Sequence, residues 1–416
     1  MERVISFFGL FAMIGLAWLI SSDRKRLNWR IIGGGLLLQI VFALLILKTP
    51  FGRSAFGKFD DFFRTLMSFV GSGSEFMFNV YPREGEDGLP APFTLLRTFA
   101  FGVLPTIVFF SALMSVLYYI GIMQQIIRLL AIVMQKSLGT SGAESLSAAA
   151  NIFVGQTEAP LVVRPYVLGM TKSELMAVMV GGFSTIAGGV MAAYVGMGIN
   201  AGHLLTASVI SAPAALLIAK VMQPEVDQPE TLGFVQTSTE KPGSNIVEAA
   251  AIGASDGMKL ALNVCAMLIA FLALLAMCNA IIGWFGNFFG QEWSIQVLLG
   301  YVFWPIAWLM GIETQDCMKC GELLGVKLVL TEFVAYDQLA NASAAGAENQ
   351  LSERTTVIMT YALSGFANFG SIGIQIGGIG GIAPERRGDL AALGMRAMFG
   401  GMLACCMTAC IAGVLL

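Results

Sequence analysis

Charge is what this sequence most lacks. Only 12% of its 416 residues are Asp, Glu, Lys or Arg, against 56% hydrophobic. A soluble domain carries about 25% charged residues because its water-facing surface needs them, so a water-soluble globule of this length is excluded. Short segments of alternating polarity, the mark of a membrane β-barrel, are missing as well. No cluster of basic residues is interleaved with aromatics, which argues against nucleic acid as a partner. The net charge of -3 averages over both sides of a membrane and identifies no partner. Histidine occurs once, at His203. Cysteine occurs seven times, mostly in apolar runs, and only Cys317-Met-Lys-Cys320 has the spacing of half a zinc site. No second pair follows and the histidine is distant, so two ordinary thiols are expected there. An intramembrane enzyme would need a nucleophile and base or a metal constellation. Neither is present, and no enzymatic activity is expected.

What is present is apolar sequence in long runs, with a mean hydropathy of +0.76. A spanning helix needs about 20 apolar residues, each adding about 1.5 Å against a hydrocarbon core of about 30 Å. The first run, Val4 to Ile20, has its basic flank after it (Asp23-Arg24-Lys25-Arg26) and no small-residue cleavage site. It reads as a retained span with its N-terminus outside rather than a signal peptide. Basic residues favour cytoplasmic loops, so the loop from Arg24 to Arg30 lies inside and a second span runs outward over Ile31–Leu47. The segment Phe51–Ala91 carries Asp60, Asp61, Glu75, Glu84, Glu86 and Asp87, which suits an outside location. A third span over Phe101–Ile120 returns to the cytoplasm, where the amphipathic Gln124–Lys136 lies along the interface.

The middle of the chain is irregular. Ser145–Val167 is apolar but interrupted by Asn151, Gly155, Gln156, Thr157, Glu158, Pro160, Arg164 and Pro165. Such a segment cannot cross lipid as a plain helix, whereas a re-entrant hairpin with its polar tip buried in protein accommodates it. The next run, Leu175–Gly198, is broken at Gly181–Gly189, and a fifth, Leu204–Val221, follows a short loop holding His203. Pro224–Ile246 is polar and rich in Pro, Glu, Thr and Ser, a solvated cytoplasmic linker. Met258–Phe285 is long and unbroken, as a scaffold helix would be. The last third then repeats the middle: an interfacial helix over Gln296–Met310, a hairpin over Cys320–Gln338 with its tip at Thr331-Glu332, a span over Thr355–Ile379 broken at Gly365–Ser371, and a closing span over Leu390–Leu416. Pro384-Glu385-Arg386-Arg387 marks the cytoplasmic side before it.

Both halves carry Thr-Glu at a hairpin tip (Thr157-Glu158 and Thr331-Glu332) and Gly-Phe at a helix break (Gly182-Phe183 and Gly365-Phe366). The crossings between them put the first hairpin inside and the second outside. This is an inverted repeat with paired broken helices, the layout of secondary transporters with a midplane site. The fold class is therefore an all-α polytopic membrane protein. Its parts are N-terminal scaffold spans (1–120), a first repeat (121–222), a cytoplasmic linker (223–257), a long scaffold helix (258–286) and a second repeat (287–416).

A carboxylate inside a membrane costs at least about 2.5 kcal/mol at a helix centre and marks function by default. Glu158 and Glu332 are the two at hairpin tips, while Glu313 and Glu322 sit where the second hairpin meets the surface. Asn151, Gln156, Thr157, Asn368 and Ser371 add amides and hydroxyls near the breaks. Amides pair with a base edge and a carboxylate accepts from vicinal hydroxyls, so a neutral polyol bearing a heterocycle fits, and an anion does not. Phe366 has a ring that could stack on such a ligand, although an aromatic at helical spacing more often packs. Unwound backbone exposes carbonyls, and Asn151 and Thr185 supply side-chain oxygens of the kind hard cations take. Nothing in that set needs to titrate, which favours sodium over a proton. Gly377-Gly-Ile-Gly-Gly381 follows no strand and does not read as a phosphate loop.

Ala150-Asn-Ile-Phe-Val-Gly-Gln-Thr-Glu-Ala-Pro-Leu161 closely resembles the concentrative nucleoside transporter family. Thr331-Glu-Phe-Val-Ala-Tyr336 and Gly365-Phe-Ala-Asn-Phe-Gly-Ser371 match two further motifs of that family. The resemblance covers nearly the whole chain and is strongest from Ser111 onward. It implies a homotrimer whose protomers each hold eight spans, two re-entrant hairpins and their own site, with a mobile transport domain moving past a rigid scaffold. It also implies that Gln156, Thr157 and Glu158 hold the base, with an apolar wall near Val190. The ribose would be held by Glu332, Asn368 and Ser371, with Phe366 adjacent. Sodium would be held by Asn151, Thr185 and the carbonyls of Val154 and Ile186. The chain departs from the family in having Thr331 where Asn is usual and Thr185 where Ser is frequent, and both keep an oxygen. The expected activity is sodium-coupled import of nucleosides of the uridine and adenosine class across a bacterial inner membrane. The alternatives are proton coupling, or symport of another neutral metabolite.

Overall fold

In a computed structural model, which describes residues 1–78, 99–234, 242–290, 293–344, 346 and 350–416, the apolar runs become helices and the described residues contain no strand. The first part holds α1 (Glu2–Leu19), α2 (Trp29–Leu47), α3 (Pro50–Phe78) and α4 (Leu104–Ile120), which a π-helical turn, Phe99–Val103, leads into. The first repeat follows with α5 (Ile122–Leu138), α6 (Gly142–Ala150), the short α7 (Ala159–Val162), α8 (Lys172–Ser184), α9 (Gly188–Gly196) and α10 (Ala201–Met222). Then come α11 (Ile246–Phe288), α12 (Ile295–Leu309), α13 (Cys317–Val329), α14 (Glu332–Ser343), α15 (Glu353–Leu363), α16 (Phe369–Ile382) and α17 (Arg387–Leu415).

Local chemistry sets several of these boundaries. Ser141 and Thr171 each form a capping box, with Glu144 and Glu174, that fixes the starts of α6 and α8. Asn200 and Asn368 cap α10 and α16 with their side-chain oxygens. Glycines on either side of the first break (Gly181, Gly182, Gly188, Gly189) weaken the helix there, and Thr185 and Ala187 take extended conformations.

Seven helices among the described residues are long and apolar enough to cross a membrane: Glu2–Leu19, Trp29–Leu47, Ala100–Ile120, Lys172–Gly196, Ala201–Met222, Ile246–Phe288 and Pro384–Leu415. An eighth crossing is expected where α15 and α16 stand. The break between them leaves 11 and 14 residues, so neither half spans alone. The core lies around α10 and α17. These two helices pack on each other, α17 also meets α1, α8 and α15, and α10 meets α2 and α8. By contrast α11 exposes Leu262, Ile269, Met277 and Ile281 on the outside of the helix bundle, as a lipid-facing helix does. It meets α4 closely at Gly253 and Gly257, where an added Cβ would come within 2.5 Å of Ser111 O and 2.8 Å of Val108 Cα.

In the acidic segment after the second span, α3 occupies the first part and carries Asp60, Asp61 and Glu75, and its phenylalanines Phe59 and Phe63 face inward. Glu84, Glu86 and Asp87 lie outside the described residues. Three sequence expectations need correction. His203 is in the first turn of α10 rather than a loop, and its Nδ1 lies 3.2 Å from Tyr361 Oη. The long scaffold helix begins at Ile246 rather than 258, which shortens the linker expected over 223–257. The described part of that linker is not merely solvated either. Thr231 is buried and caps the start of α6, accepting from Gly142 N through its carbonyl (2.9 Å) and from Ala143 N through Oγ1 (3.0 Å). Residues 235–241 lie outside the described set.

Candidate functional site

The two hairpins, α6 with α7 and α13 with α14, bring their tips toward the two helix breaks. The breaks themselves abut. Gly365, at φ +152, lies so close to α8 that a Cβ there would come within 2.5 Å of Phe183 O and 2.8 Å of Ser184 C. A side chain is excluded at this point of contact between the repeats, which explains the glycine of the second break.

One hydrogen-bonded chain runs through this centre. The Glu332 carboxylate, at the start of α14, accepts from Tyr194 Oη of α9 at Oε1 (3.0 Å) and from Asn368 Nδ2 at Oε2 (3.0 Å). Asn368 Oδ1 in turn accepts from Ser371 N at 2.8 Å. Ser371 Oγ accepts from Gln156 Nε2 at 3.2 Å, and Gln156 Oε1 accepts from Gln375 Nε2 at 3.1 Å. Gln375 Nε2 also donates to Met179 O at 3.1 Å, which ties α16 to α8. Gln156, Glu332, Asn368, Ser371 and Gln375 are all buried. A carboxylate offers about four lone-pair positions. Tyr194 and Asn368 take two of them.

Thr157 and Glu158 face a different space. A cavity of about 560 Å³ is lined by Val154, Thr157 and Glu158 together with Tyr118 of α4 and Ile252 and Asp256 of α11. It extends to Pro242, at the end of the bundle where the linker lies. Thr157 also meets α16, since a Cβ on Gly378 would come within 3.1 Å of its Cγ2. Gln156, Val190, Glu332, Phe366, Asn368 and Ser371 do not line this cavity. Val190 is buried in α9, and Phe366 is half-buried at the second break against the apolar core. The structure thus groups Gln156, Glu332, Asn368 and Ser371 directly, and sets Thr157 and Glu158 on the adjoining cavity wall.

Of the expected cation ligands, Asn151 and Thr185 both meet Gly181 of α8. Asn151 caps α6 at its C-terminal end, and its Nδ2 donates to Ser147 O at 3.0 Å. Gly181 of α8 packs against it, so close that a Cβ would stand 3.1 Å from Nδ2. Its Oδ1 is buried and has no hydrogen-bond donor, an arrangement that a cation would satisfy. Thr185 Oγ1 donates to Gly181 O at 2.9 Å, which leaves its lone pairs free to coordinate. Ile186 follows at the break, and Val154 O lies on the tip that lines the cavity. No group of three His, Cys, Asp or Glu side chains able to hold a metal occurs among the described residues, and Cys317 and Cys320 are buried free thiols.

Three family descriptions tile the chain: "Na+ dependent nucleoside transporter N-terminus" over residues 8–80, "Nucleoside recognition" over 100–201, and "Na+ dependent nucleoside transporter C-terminus" over 203–413. An uncharacterized transporter of Haemophilus influenzae is 47% identical over 416 residues, covering 100% of this chain and 98% of that protein. The solute carrier family 28 member 3 of Mus musculus is 44% identical over 426 residues, and the whole chain matches 59% of that longer protein. A structure of CNTnw in an inward-facing substrate-bound state superposes with a TM-score of 0.90 at 43% identity, covering 100% of this chain and 98% of that one. The chain belongs to the Na+-dependent nucleoside transporter family. It is an integral membrane transporter and not an enzyme. An outward-facing structure of a CNTnw variant superposes equally well, with a TM-score of 0.91 at 43% identity over 100% and 97% of the two chains. The shared fold therefore accommodates both facings.

Sequence reasoning missed two residues of this transporter's centre and one buried lysine outside it. Tyr194 lies within an apolar run and drew no attention there, yet its hydroxyl is one of the two donors to Glu332. Gln375 is a lone amide in the apolar α16, and a buried amide must find partners. That isolation was a usable signal. Lys327, in the apolar second half of α13, has no solvent exposure and donates from Nζ to Ala362 O at 2.9 Å.

Proposed function

We propose that this transporter imports nucleosides of the uridine and adenosine class together with sodium, by alternating access, as a homotrimer in a bacterial inner membrane. The observation that carries the substrate class is Glu332. Its carboxylate is buried and oriented by Tyr194 and Asn368 from two other elements, and it retains lone pairs suited to vicinal ribose hydroxyls. Gln156, Thr157 and Glu158 supply the base-facing groups, with Val190 and Phe366 as apolar neighbours. An analogue without its hydroxyls would leave buried acceptors unpaired and be rejected strongly.

The unpartnered Asn151 Oδ1 favours sodium as the coupling ion, since a neutral amide cannot take up a proton near neutral pH. A cation bridging Asn151 and Val154 of hairpin 1 with Thr185 and Ile186 of the first break would hold that hairpin against α8. In this way the sodium gradient would shift the population of binding-competent protein. The repeats 121–222 and 287–416 would supply the moving unit, and α11 with the N-terminal spans the scaffold.

The test is uptake of radiolabelled uridine and adenosine into proteoliposomes, with and without an inward sodium gradient at fixed pH. Accumulation above equilibrium that needs sodium is the expected result. Accumulation that follows a proton gradient instead would remove sodium from the mechanism. No uptake by folded protein would remove the nucleosides.

A further inference from the structure

Lys327 has no part in the site above, although it is fully buried within the second repeat. Its surroundings are the C-terminal end of α15, where helix carbonyls lack intrahelical donors and the helix dipole is negative. Lys327 Nζ donates to Ala362 O at 2.9 Å, and Cys405 Sγ of α17 donates to Ser364 O at 2.9 Å. Cys405 reaches the end of α8 as well, at Ser184 O (3.5 Å), because the two breaks abut.

The first repeat has the same parts with the opposite chemistry. Its hairpin helix α6 ends at Asn151 against the C-terminal end of α8, just as α13 carries Lys327 to the C-terminal end of α15. There, however, Asn151 Oδ1 and Ser147 Oγ are buried without hydrogen-bond partners. One repeat presents unsatisfied oxygens at its half-helix end, and the other presents an ammonium that satisfies such an end.

We propose that Lys327 is a tethered cation that fills, in the second repeat, the position a free cation occupies in the first, so that one exchangeable cation accompanies each substrate. The proposal rests on the sodium-coupled reading above. The ammonium neutralises the α15 end permanently and keeps the second break in shape whether or not the transporter is loaded. Only the first break is then left dependent on the ion gradient. Lys327 is in this sense a positioning residue: it acts on the second break through Ala362 O and does not touch substrate.

The experiment measures ²²Na and uridine uptake together in proteoliposomes of the unaltered protein, then repeats uridine binding across a sodium series for Lys327→Met and Lys327→Arg at constant ionic strength. One sodium per uridine is expected in the unaltered protein, and two would overturn the proposal. Lys327→Met keeps the unbranched stem and loses the charge. It should bind uridine with a steeper sodium dependence, moving from first toward second power, as a free cation takes the vacated place. The Arg variant, still cationic, should keep the first-power dependence. A Met variant with unchanged sodium dependence and affinity would overturn the proposal, as would a monodisperse Met variant that binds no uridine at any sodium concentration. Should the Met variant not fold, the ²²Na ratio and the Arg variant still decide. Uridine uptake by the unaltered protein without any sodium requirement is a separate outcome, which removes sodium coupling itself and this proposal with it.

Discussion

Asn368 joins the tip of the second hairpin to the second helix break: its Nδ2 donates to Glu332 Oε2 at 3.0 Å, while its Oδ1 caps α16 by accepting from Ser371 N at 2.8 Å. One amide therefore does two separable jobs, which serine and alanine divide. Asn368→Ser keeps a capping oxygen and loses the donor to Glu332. Asn368→Ala loses both. A hydrogen bond to a charged group contributes about 1.5–3 kcal/mol, so both variants should bind uridine about 10- to 100-fold more weakly. Loss of the cap should cost Asn368→Ala about a further 1 kcal/mol of stability relative to Asn368→Ser. Equilibrium binding and thermal unfolding in detergent check the two effects separately. Unchanged affinity in the serine variant would remove Asn368 as an orienter of Glu332.

Tyr194→Phe removes the other donor to Glu332 and little else. The ring should stay in place, because it packs on Tyr336 and Phe333 with centroids 4.4 and 4.9 Å away. Uridine affinity should fall about tenfold by the same hydrogen-bond magnitude, with the sodium dependence of binding unaltered, because Tyr194 lies outside the proposed ion site. A sodium titration at several uridine concentrations distinguishes this from a general loss of fold. A shift in sodium requirement alone would contradict it.

Gly182 sets how closely the two repeats approach at the hydrogen-bonded centre. A Cβ there would lie 2.7 Å from Gln375 Nε2 and 2.9 Å from Gln156 Cβ, both inside normal contact. Gly182→Ala should therefore displace Gln156 and weaken uridine binding at least about tenfold, the scale expected when a buried polar contact is lost. Helix propensity would by itself favour alanine over glycine in α8. A loss of affinity without a loss of thermal stability is thus the specific result, and unchanged binding would mean that the centre can give way at no cost.

The sequence shows much of this fold because membrane insertion imposes strong rules. Length and hydropathy locate α1, α2, α4, α10 and α17, and polar residues at Gln156–Glu158 and Thr331-Glu332 betray the hairpins. Glycine pairs betray the breaks. What it hid depends on pairing across long separations. Tyr194 and Glu332 are 138 positions apart, and Lys327 meets a carbonyl rather than a second charged residue. No periodicity reports either relationship. α3 was hidden for a different reason: its polar face breaks the continuous hydropathy by which spans are found, although its apolar face packs inward at Phe59 and Phe63. The linker was misread because composition speaks of solvation, while Thr231 is drawn in by the unpaired amides at the start of α6.

Asn151→Ala removes the unpartnered Oδ1 and little packing volume. If sodium is held there, the sodium concentration for half-maximal uridine binding should rise steeply, about tenfold or more on the scale of a lost charge-assisted contact. Uridine affinity at saturating sodium should approach that of the unaltered protein. This pattern is the reverse of the one expected for Asn368 or Tyr194 variants, so the three together separate ion ligand from substrate ligand. Equal sodium dependence in Asn151→Ala would move the ion elsewhere.

The base of the first repeat is held by a buried ion cluster whose disruption should be costly in a particular order. Lys220 Nζ of α10 lies 2.7 Å from Glu144 Oε2 of α6 and 2.9 Å from Glu225 Oε2, and it donates to Ser173 Oγ of α8 at 3.0 Å. The Lys220 and Glu144 side chains are 4% and 1% exposed, so neither charge has water to fall back on. Thr171 Oγ1 donates to Glu225 at 3.0 Å, which ties the start of α8 to the segment after α10. Removing one partner of a buried pair typically costs about 3–5 kcal/mol because the other charge is stranded, whereas replacing both is close to neutral. Lys220→Met should accordingly lower the unfolding temperature sharply, and Lys220→Met with Glu144→Gln should restore much of the loss. Glu225 stays as a partly exposed carboxylate that water can solvate. The functional consequence follows from where the cluster sits. It fixes the start of hairpin 1 relative to α8 and so sets the angle at which Asn151 meets the first break. The double variant should thus recover stability more completely than sodium affinity. If both recovered together, the cluster would stabilise the fold without orienting the ion site.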